Sequence, residues 1–172
     1  MDISLTDKQL RRQHEGRMKA FPELIRLANS NALLLFCDEA VFTSKQFDQK
    51  VWYARREKLT IKKKKLGFGA IAVVSAINMQ GEVVASVLRD KSIDSDAFCE
   101  FLRLIRRKSK SRKCHMLVDN LSVHRTPDVT NQATRSRINL IFNGTYSSSY
   151  NPIEQLWAYS KRRFQSLCIE EG

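Results

Sequence analysis

The chain of 172 residues carries 30 Lys plus Arg against 18 Asp plus Glu, a formal net charge of +12, with 42% hydrophobic and 28% charged residues. This balance describes one folded domain and excludes a disordered or collagen-like chain, while the charge favours a polyanionic partner, nucleic acid ahead of a membrane surface. The longest apolar run, 66–79, is too short for a bilayer-spanning helix and contains two glycines, so no membrane partner is expected.

The first thirty residues carry charges throughout and lack a signal-peptide apolar region, so an intracellular protein is expected. Cys37, Cys99, Cys114 and Cys168 are widely separated without a CxxC pair, and read as reduced, mostly buried thiols rather than zinc ligands or a disulfide framework.

From Thr6 to Ala28, the residues Leu10, Met18, Phe21, Leu24, Ile25 and Leu27 recur among charges and predict a helix despite Pro22, a linker segment over 1–30 ahead of a main domain over 31–172. The apolar run from Leu33 to Cys37 predicts a central strand that ends in an acid, Asp38. A short strand over Val51–Ala54 and a basic loop from Arg55 to Lys65 precede a second long apolar run, 66–78. The turn Gln80-Gly81 and the return strand from Glu82 to Leu88 make an antiparallel hairpin with it.

Ile93, Ala97, Phe98, Phe101, Leu104 and Ile105 then recur at helical spacing, so a helix runs from Ile93 to Lys108 with Ser92, Asp94 or Ser95 as its cap. Cys114 to Val118 predicts a strand, again followed by an acid, Asp119, and Thr126-Pro127-Asp128 reads as a helix start. Ile138 to Phe142 is the fifth strand, the short Val51–Ala54 segment not counted. After a loop rich in Ser and Tyr, Pro152 opens a last helix with an apolar stripe of Ile153, Leu156, Trp157, Phe164 and Leu167, while Glu154, Ala158, Lys161 and Arg162 share another face. The order predicts an α/β domain: a mixed five-stranded sheet flanked by helices, in which Asp38, Asp119 and Glu154 converge.

Three such carboxylates suit phosphodiester chemistry. The reaction needs an attacking oxygen to be activated and the charge on the leaving oxygen to be stabilised, which two divalent ions about 4 Å apart accomplish. Mg²⁺ takes oxygen ligands, keeps several waters, and is held by a few carboxylates plus the substrate phosphate. Singly, each acid has a plainer reading, a turn bond for Asp38 or Asp119 and a helix-terminus charge for Glu154; together, on these elements in this order, they point to a metal site. Glu39 adjoins Asp38 but faces the other side of the sheet if the strand continues, and is secondary.

The motifs Asp38-Glu39-Ala40-Val41-Phe42, Asp119-Asn120-Leu121-Ser122-Val123-His124 and Asn151-Pro152-Ile153-Glu154-Gln155-Leu156-Trp157 together resemble the mariner-like superfamily of cut-and-paste transposases and related insertion-sequence transposases. Thirty-four residues lie between Asp119 and Glu154, a spacing similar to that of the superfamily. The resemblance implies a ribonuclease-H-like fold, a catalytic and metal-binding triad of Asp38, Asp119 and Glu154, two Mg²⁺ or Mn²⁺ ions, and DNA ends as substrate. It also implies a homodimer, and a nuclear location in a eukaryote. The family often carries Pro-Asp where this chain has Ser148 and Ser149, which predicts a looser approach to Glu154. Members also carry amino-terminal helix-turn-helix domains, whereas about thirty residues precede the first strand here. The alternative reading is therefore a catalytically decayed or host-adopted DNA-binding remnant, and a ribonuclease H acting on RNA–DNA hybrids fits the last motif less well.

Around this triad, Asn120 and Asn151 are candidates for orienting the acids by hydrogen bonds, and His124 for a contact to phosphate or water near the metals. Lys62, Lys63, Lys64 and Lys65, the cluster from Arg103 to Lys113, and Lys161 and Arg162 are candidate DNA-phosphate contacts, with a solvated face as the plainer reading of each. Trp52, Tyr146 and Tyr150 could stack on exposed bases, whereas Trp157 reads as core.

Overall fold

The computed structural model describes residues 6–43, 67, 69–110, 112–144 and 150–168. The strand expected at Val51–Ala54, the basic loop with Lys62, Lys63, Lys64 and Lys65, the aromatics Trp52 and Tyr146, and the altered pair Ser148-Ser149 lie outside the described residues. The elements are α1 (Asp7–Ala28), β1 (Leu33–Thr43), β2 (Ala70–Asn78), β3 (Val83–Asp90), α2 (Ser95–Lys108), β4 (Cys114–Val118), α3 (Pro127–Arg135), β5 (Ile138–Phe142) and α4 (Ile153–Leu167). They form one five-stranded sheet in the order β3-β2-β1-β4-β5. β1–β2 and β2–β3 are antiparallel, and β1–β4 and β4–β5 are parallel, so the sheet is mixed as the hairpin and the two crossover helices require.

One face of the sheet is covered by α2 and α3. The α2 residues Ala97, Phe98, Phe101, Leu102 and Ile105 fall at three- and four-residue spacing and are buried against Leu35, Cys37, Val74, Met116 and Val118. Asp94 starts this helix by accepting the Ala97 amide at 2.8 Å. The other face carries two helices. α1 packs Ala20, Leu24 and Leu27 on Leu34, Leu117 and Ile141, and α4 packs Ile153 and Trp157 on Ala40 and Ile77. β4, covered on both sides, is buried throughout its five residues, which is why its sequence is apolar apart from His115.

Three details depart from the sequence reading. β1 does not end at Asp38: it continues to Thr43 because β2 goes on pairing with it, Asp38 opposite Ser75 and Thr43 opposite Ala70. A 3-10 turn at Ser122–Arg125, without apolar periodicity to announce it, precedes α3. In α1, four of the six apolar residues that suggested the helix (Leu10, Met18, Phe21 and Ile25) are exposed, and the helix is instead held by its Ala20–Leu27 side and by a close approach at Gly16, where a Cβ would overlap the backbone of Gly144. The helix runs through Pro22, which lies on its exposed side. All four cysteines are free and buried.

Candidate active site

The parallel register between β1 and β4, with Phe36 level with Leu117, brings Asp38 and Asp119 to the same height when continued two residues along both strands. Side chains alternate along β1. Leu34, Phe36, Asp38 and Ala40 face α1 and α4, whereas Leu35, Cys37 and Glu39 face α2. Asp38 and Glu39 are thus chain neighbours that serve opposite layers.

α4 is fastened to β1 beside Asp38. Asn151, buried just ahead of the helix, donates from Nδ2 to the carbonyl of Cys37 at 2.9 Å, and its own carbonyl accepts the Glu154 amide at 3.0 Å. Three residues past Glu154, one turn along the same side of the helix, Trp157 donates from Nε1 to Asp38 Oδ2 at 3.1 Å. Trp157 is therefore both core, as its sequence predicts, and a direct partner of Asp38. The spacing between Glu154 and Trp157 was the available signal for the second role. Phe42 closes the packing edge-on to Trp157 and Phe164, at centroid distances of 6.4 and 5.4 Å.

On the other face, His124 is 2% exposed and joins two acids. Its Nδ1 lies 3.0 Å from Asp119 Oδ1 and its Nε2 lies 3.0 Å from Glu39 Oε1, with the ring packed 4.3 Å from that of Phe98. Burial alone would lower its pKa, but the bonds to Asp119 and Glu39 raise it to about 9, so both nitrogens donate and the ring is an imidazolium at neutral pH. The structure places His124 buried against Asp119 and Glu39. Glu39, set aside as secondary, is the residue that completes the bridge. Its place on the far face followed from strand alternation, but its partner sits in a turn that no periodicity reveals.

The electrostatics of the two aspartates diverge. Burial raises Asp38 to about 6, opposed by a backbone hydrogen bond at Glu39 and reinforced by the charges of Glu154 and Asp119. Burial also pushes Asp119 up, yet the bonds from His124 and from the Leu121 amide outweigh it and hold the carboxyl below its usual value. Asn120 binds neither acid. It donates to the carbonyl of Asn143 and accepts from Arg125, whose guanidinium lies 4.0 Å over the Phe142 ring, so it ties the loop after Asp119 to the end of β5.

Among the described residues no group of three or more His, Cys, Asp or Glu forms a ready-made metal cage. The donor set nevertheless fits a divalent cation of the Mg²⁺ type: Asp38 carries a raised pKa in part because Glu154 and Asp119 repel its charge, a repulsion a cation relieves, and such ions complete their shell with water and phosphate. Lys161 and Arg162 lie further along α4, with Arg162 exposed and bonded from Nε to the Ala158 carbonyl at 3.2 Å. Tyr150 is exposed and meets Phe21 edge-on at 6.1 Å. Among the described residues no helix is long and apolar enough to cross a membrane.

No protein of curated function matches the sequence. Among solved structures, the fold is similar to a Mos1 transposase paired-end complex with the left transposon end (TM-score 0.70, 15% identity, 95% of this chain and 51% of that one). It is also similar to a Mos1 mariner paired end complex with Mn (TM-score 0.71, 15% identity, 93% and 50%) and to the Mos1 mariner transposase catalytic domain (TM-score 0.62, 12% identity, 100% and 78%). The chain spans about half the length of the first two, and at these identities the likeness establishes the fold: the ribonuclease-H-like arrangement of that catalytic domain. Residues 33–170, which contain all three acids, match the family described as DDE superfamily endonuclease. This chain belongs to the DDE superfamily of endonucleases.

Proposed function

We propose that the chain is the DNA-cutting and DNA-joining unit of a mariner-like transposase, with residues 31–172 as the catalytic unit and α1 docked on its sheet. Asp38, Asp119 and Glu154 are its catalytic ligands for two Mg²⁺ or Mn²⁺ ions. The observation that carries this reading is the pinning of α4 against β1 by Asn151–Cys37 and Trp157–Asp38, which holds Glu154 beside two acids on neighbouring parallel strands. The substrate is a DNA end, in keeping with the transposon-end DNA of the Mos1 complex, and two copies of the chain act together. Such work lies inside the cell, in the nucleus of a eukaryote.

Bound divalent ions would supply activation of the attacking oxygen and stabilisation of the leaving one. The residues do the rest. Trp157 fixes one Asp38 oxygen and leaves the other for a ligand, and the His124 imidazolium draws off part of the Asp119 charge while fixing its orientation. Retention of all three acids together with these two supports favours an active enzyme over a decayed remnant.

The test is nicking of supercoiled plasmid with Mn²⁺ or Mg²⁺ by the wild-type chain and by Asp119→Asn. Metal-dependent nicking that the substitution lowers at least about a hundredfold is expected. Equal nicking by the two proteins sinks the assignment.

A further inference from the structure

At the end of the sheet opposite the acids, the chain builds a basic band. Parallel topology determines where it lies: α2 and α3 deliver the chain to the starts of the parallel strands β4 and β5, so their last turns sit at the sheet end opposite Asp119, which follows the carboxy end of β4. β4 alone separates the two ends by roughly 16 Å, five residues at about 3.3 Å each.

A cavity of about 450 Å³ opens there between α2 and α3, lined by Arg103, Arg106, Arg107 and Arg135 with Gln132 and Ser136. The three α2 arginines are at three- and four-residue spacing and share a face. Gln132 holds Arg103 by accepting its Nη1 at 3.3 Å, and Gln132 is itself held by donating to Ser136 at 2.9 Å. The one acid in the lining, Glu100, is engaged by Arg89 from outside it.

A second cavity, of about 350 Å³, adjoins the starts of β1 and β4 and is lined by Arg26, Lys113, His115, Ser30 and Asn31 among others. His115 is 5% exposed; its Nδ1 takes the Asn139 amide at 3.2 Å, which leaves the proton on Nε2, and Nε2 has no partner. A buried donor without an acceptor in a basic cavity suits an anionic oxygen. Arg112 links the two cavities: its carbonyl accepts from Arg106 at 3.4 Å and its guanidinium donates to the Asn31 carbonyl at 3.4 Å.

The residues that end the two helices sharpen the point. Lys110 and Arg137, each two residues past the end of its helix, have φ of 44° and 54°, the left-handed region that glycine occupies at least cost. Cations stand there instead. Helix carboxy termini attract positive charge, but that attraction is satisfied within the last turn and does not account for a band that crosses from α1 to α3.

We infer that this band binds the phosphates of a DNA segment separate from the one at the carboxylates. An extended row of guanidiniums matches a polyanion rather than a single phosphate, because each fork takes one phosphate and the row takes several. The choice of DNA over an acidic polypeptide rests on the proposed endonuclease reading, since an enzyme that cuts one DNA and joins it to another must hold two. Nothing in the band touches the chemistry, so its loss weakens the grip on DNA without removing the acids.

The experiment is a salt series of binding to a labelled duplex by fluorescence anisotropy, in EDTA so that no cleavage occurs. Arg103→Gln with Arg135→Gln is compared with the wild type, with Arg103→Lys plus Arg135→Lys, and with Lys8→Gln plus Arg11→Gln at an unrelated exposed site. Losing two phosphate contacts is expected to reduce the slope of log affinity against log salt by about 2 and affinity at low salt by at least about tenfold. The lysine pair keeps most of the slope, and the control pair stays within about twofold of wild type. Equal losses in the two glutamine pairs, or none in either, overturn the inference. So does binding of polyglutamate, in place of DNA, that depends on Arg103 and Arg135. Asp119→Asn separates the two readings: it is expected to lose nicking and keep wild-type affinity in EDTA. Metal-independent nicking would end the endonuclease reading alone, and an unchanged salt slope would end this one alone.

Discussion

Trp157 and His124 approach the acids of the site from opposite faces of the sheet, Trp157 at Asp38 and His124 at Asp119 and Glu39, and each invites a substitution that keeps an apolar side chain in place and removes its polar contacts. Trp157→Phe retains an aromatic ring beside Phe42 but leaves Asp38 Oδ2 without its donor. Nicking is expected to fall about tenfold to a hundredfold, as for other supports of metal ligands, with a loss of stability near 1 kcal/mol by thermal melting. His124→Leu leaves Glu39 and Asp119 facing the space of a lost cation. A destabilisation of about 2 kcal/mol is expected, less than for a fully buried pair because Asp119 is partly exposed to water. His115 provides the pH prediction. Burial lowers its pKa, and the charges of Lys113 and Arg26 lower it further against the opposing pull of Glu23. Because the folded value lies below the unfolded one, His115 contributes stability that is fully present above roughly pH 6.5 and is lost as pH falls through the folded value. An NMR titration of the His115 ring is expected to give a midpoint below 6.5, rising when Lys113→Gln removes a neighbouring charge.

Elements were legible where periodicity and punctuation agree. Phe98, Phe101 and Ile105 announce α2, Pro127 opens α3, and the two apolar runs that end near Asp38 and Asp119 lie side by side in the sheet. What was not legible depends on contacts between elements. The extension of β1 past Asp38 is fixed by its pairing with β2: Val41, Phe42 and Thr43 are strand formers, but the adjacent acids Asp38 and Glu39 interrupt the apolar run ahead of them. Glu39 as partner of His124 required knowing that a 3-10 turn would fold over the sheet, and Asn151 reaches the Cys37 carbonyl rather than an acid, a distinction that a motif does not carry. Asn151→Ala removes that bond and leaves a buried carbonyl unpaired. Stability is expected to drop by about 1–3 kcal/mol, with a larger proportional loss of nicking than of melting temperature because Glu154 shifts with the helix.

Among the described residues the sheet has a charge polarity, with Asp38 and Asp119 toward one end of the central strands and Arg103, Arg106, Arg107 and Arg135 at the other. A net charge of +12 read from composition does not disclose this polarity, which arises only when α2 and α3 bring their last turns to one rim. Metal binding is expected to register as global stability: Mn²⁺ at a hundredfold excess over its dissociation constant adds about 2.7 kcal/mol to the wild type, and much less to Asp119→Asn, in a thermal melt. The contact of α1 with the end of β5 is a further whole-molecule constraint. Gly16→Ala is expected to cost about 1–3 kcal/mol, since the added methyl group meets backbone at Gly144.

That glycine contact also bears on the order of assembly during synthesis. α1 leaves the ribosome ahead of the strands, yet Leu117, Ile141 and Gly144, on which it rests, are made well after it. At roughly 10 residues per second, the helix waits on the order of ten seconds with Ala20, Leu24 and Leu27 uncovered, and β1 waits with it for β4. The nascent domain is thus most exposed to aggregation, and most dependent on chaperones, until β5 has been translated.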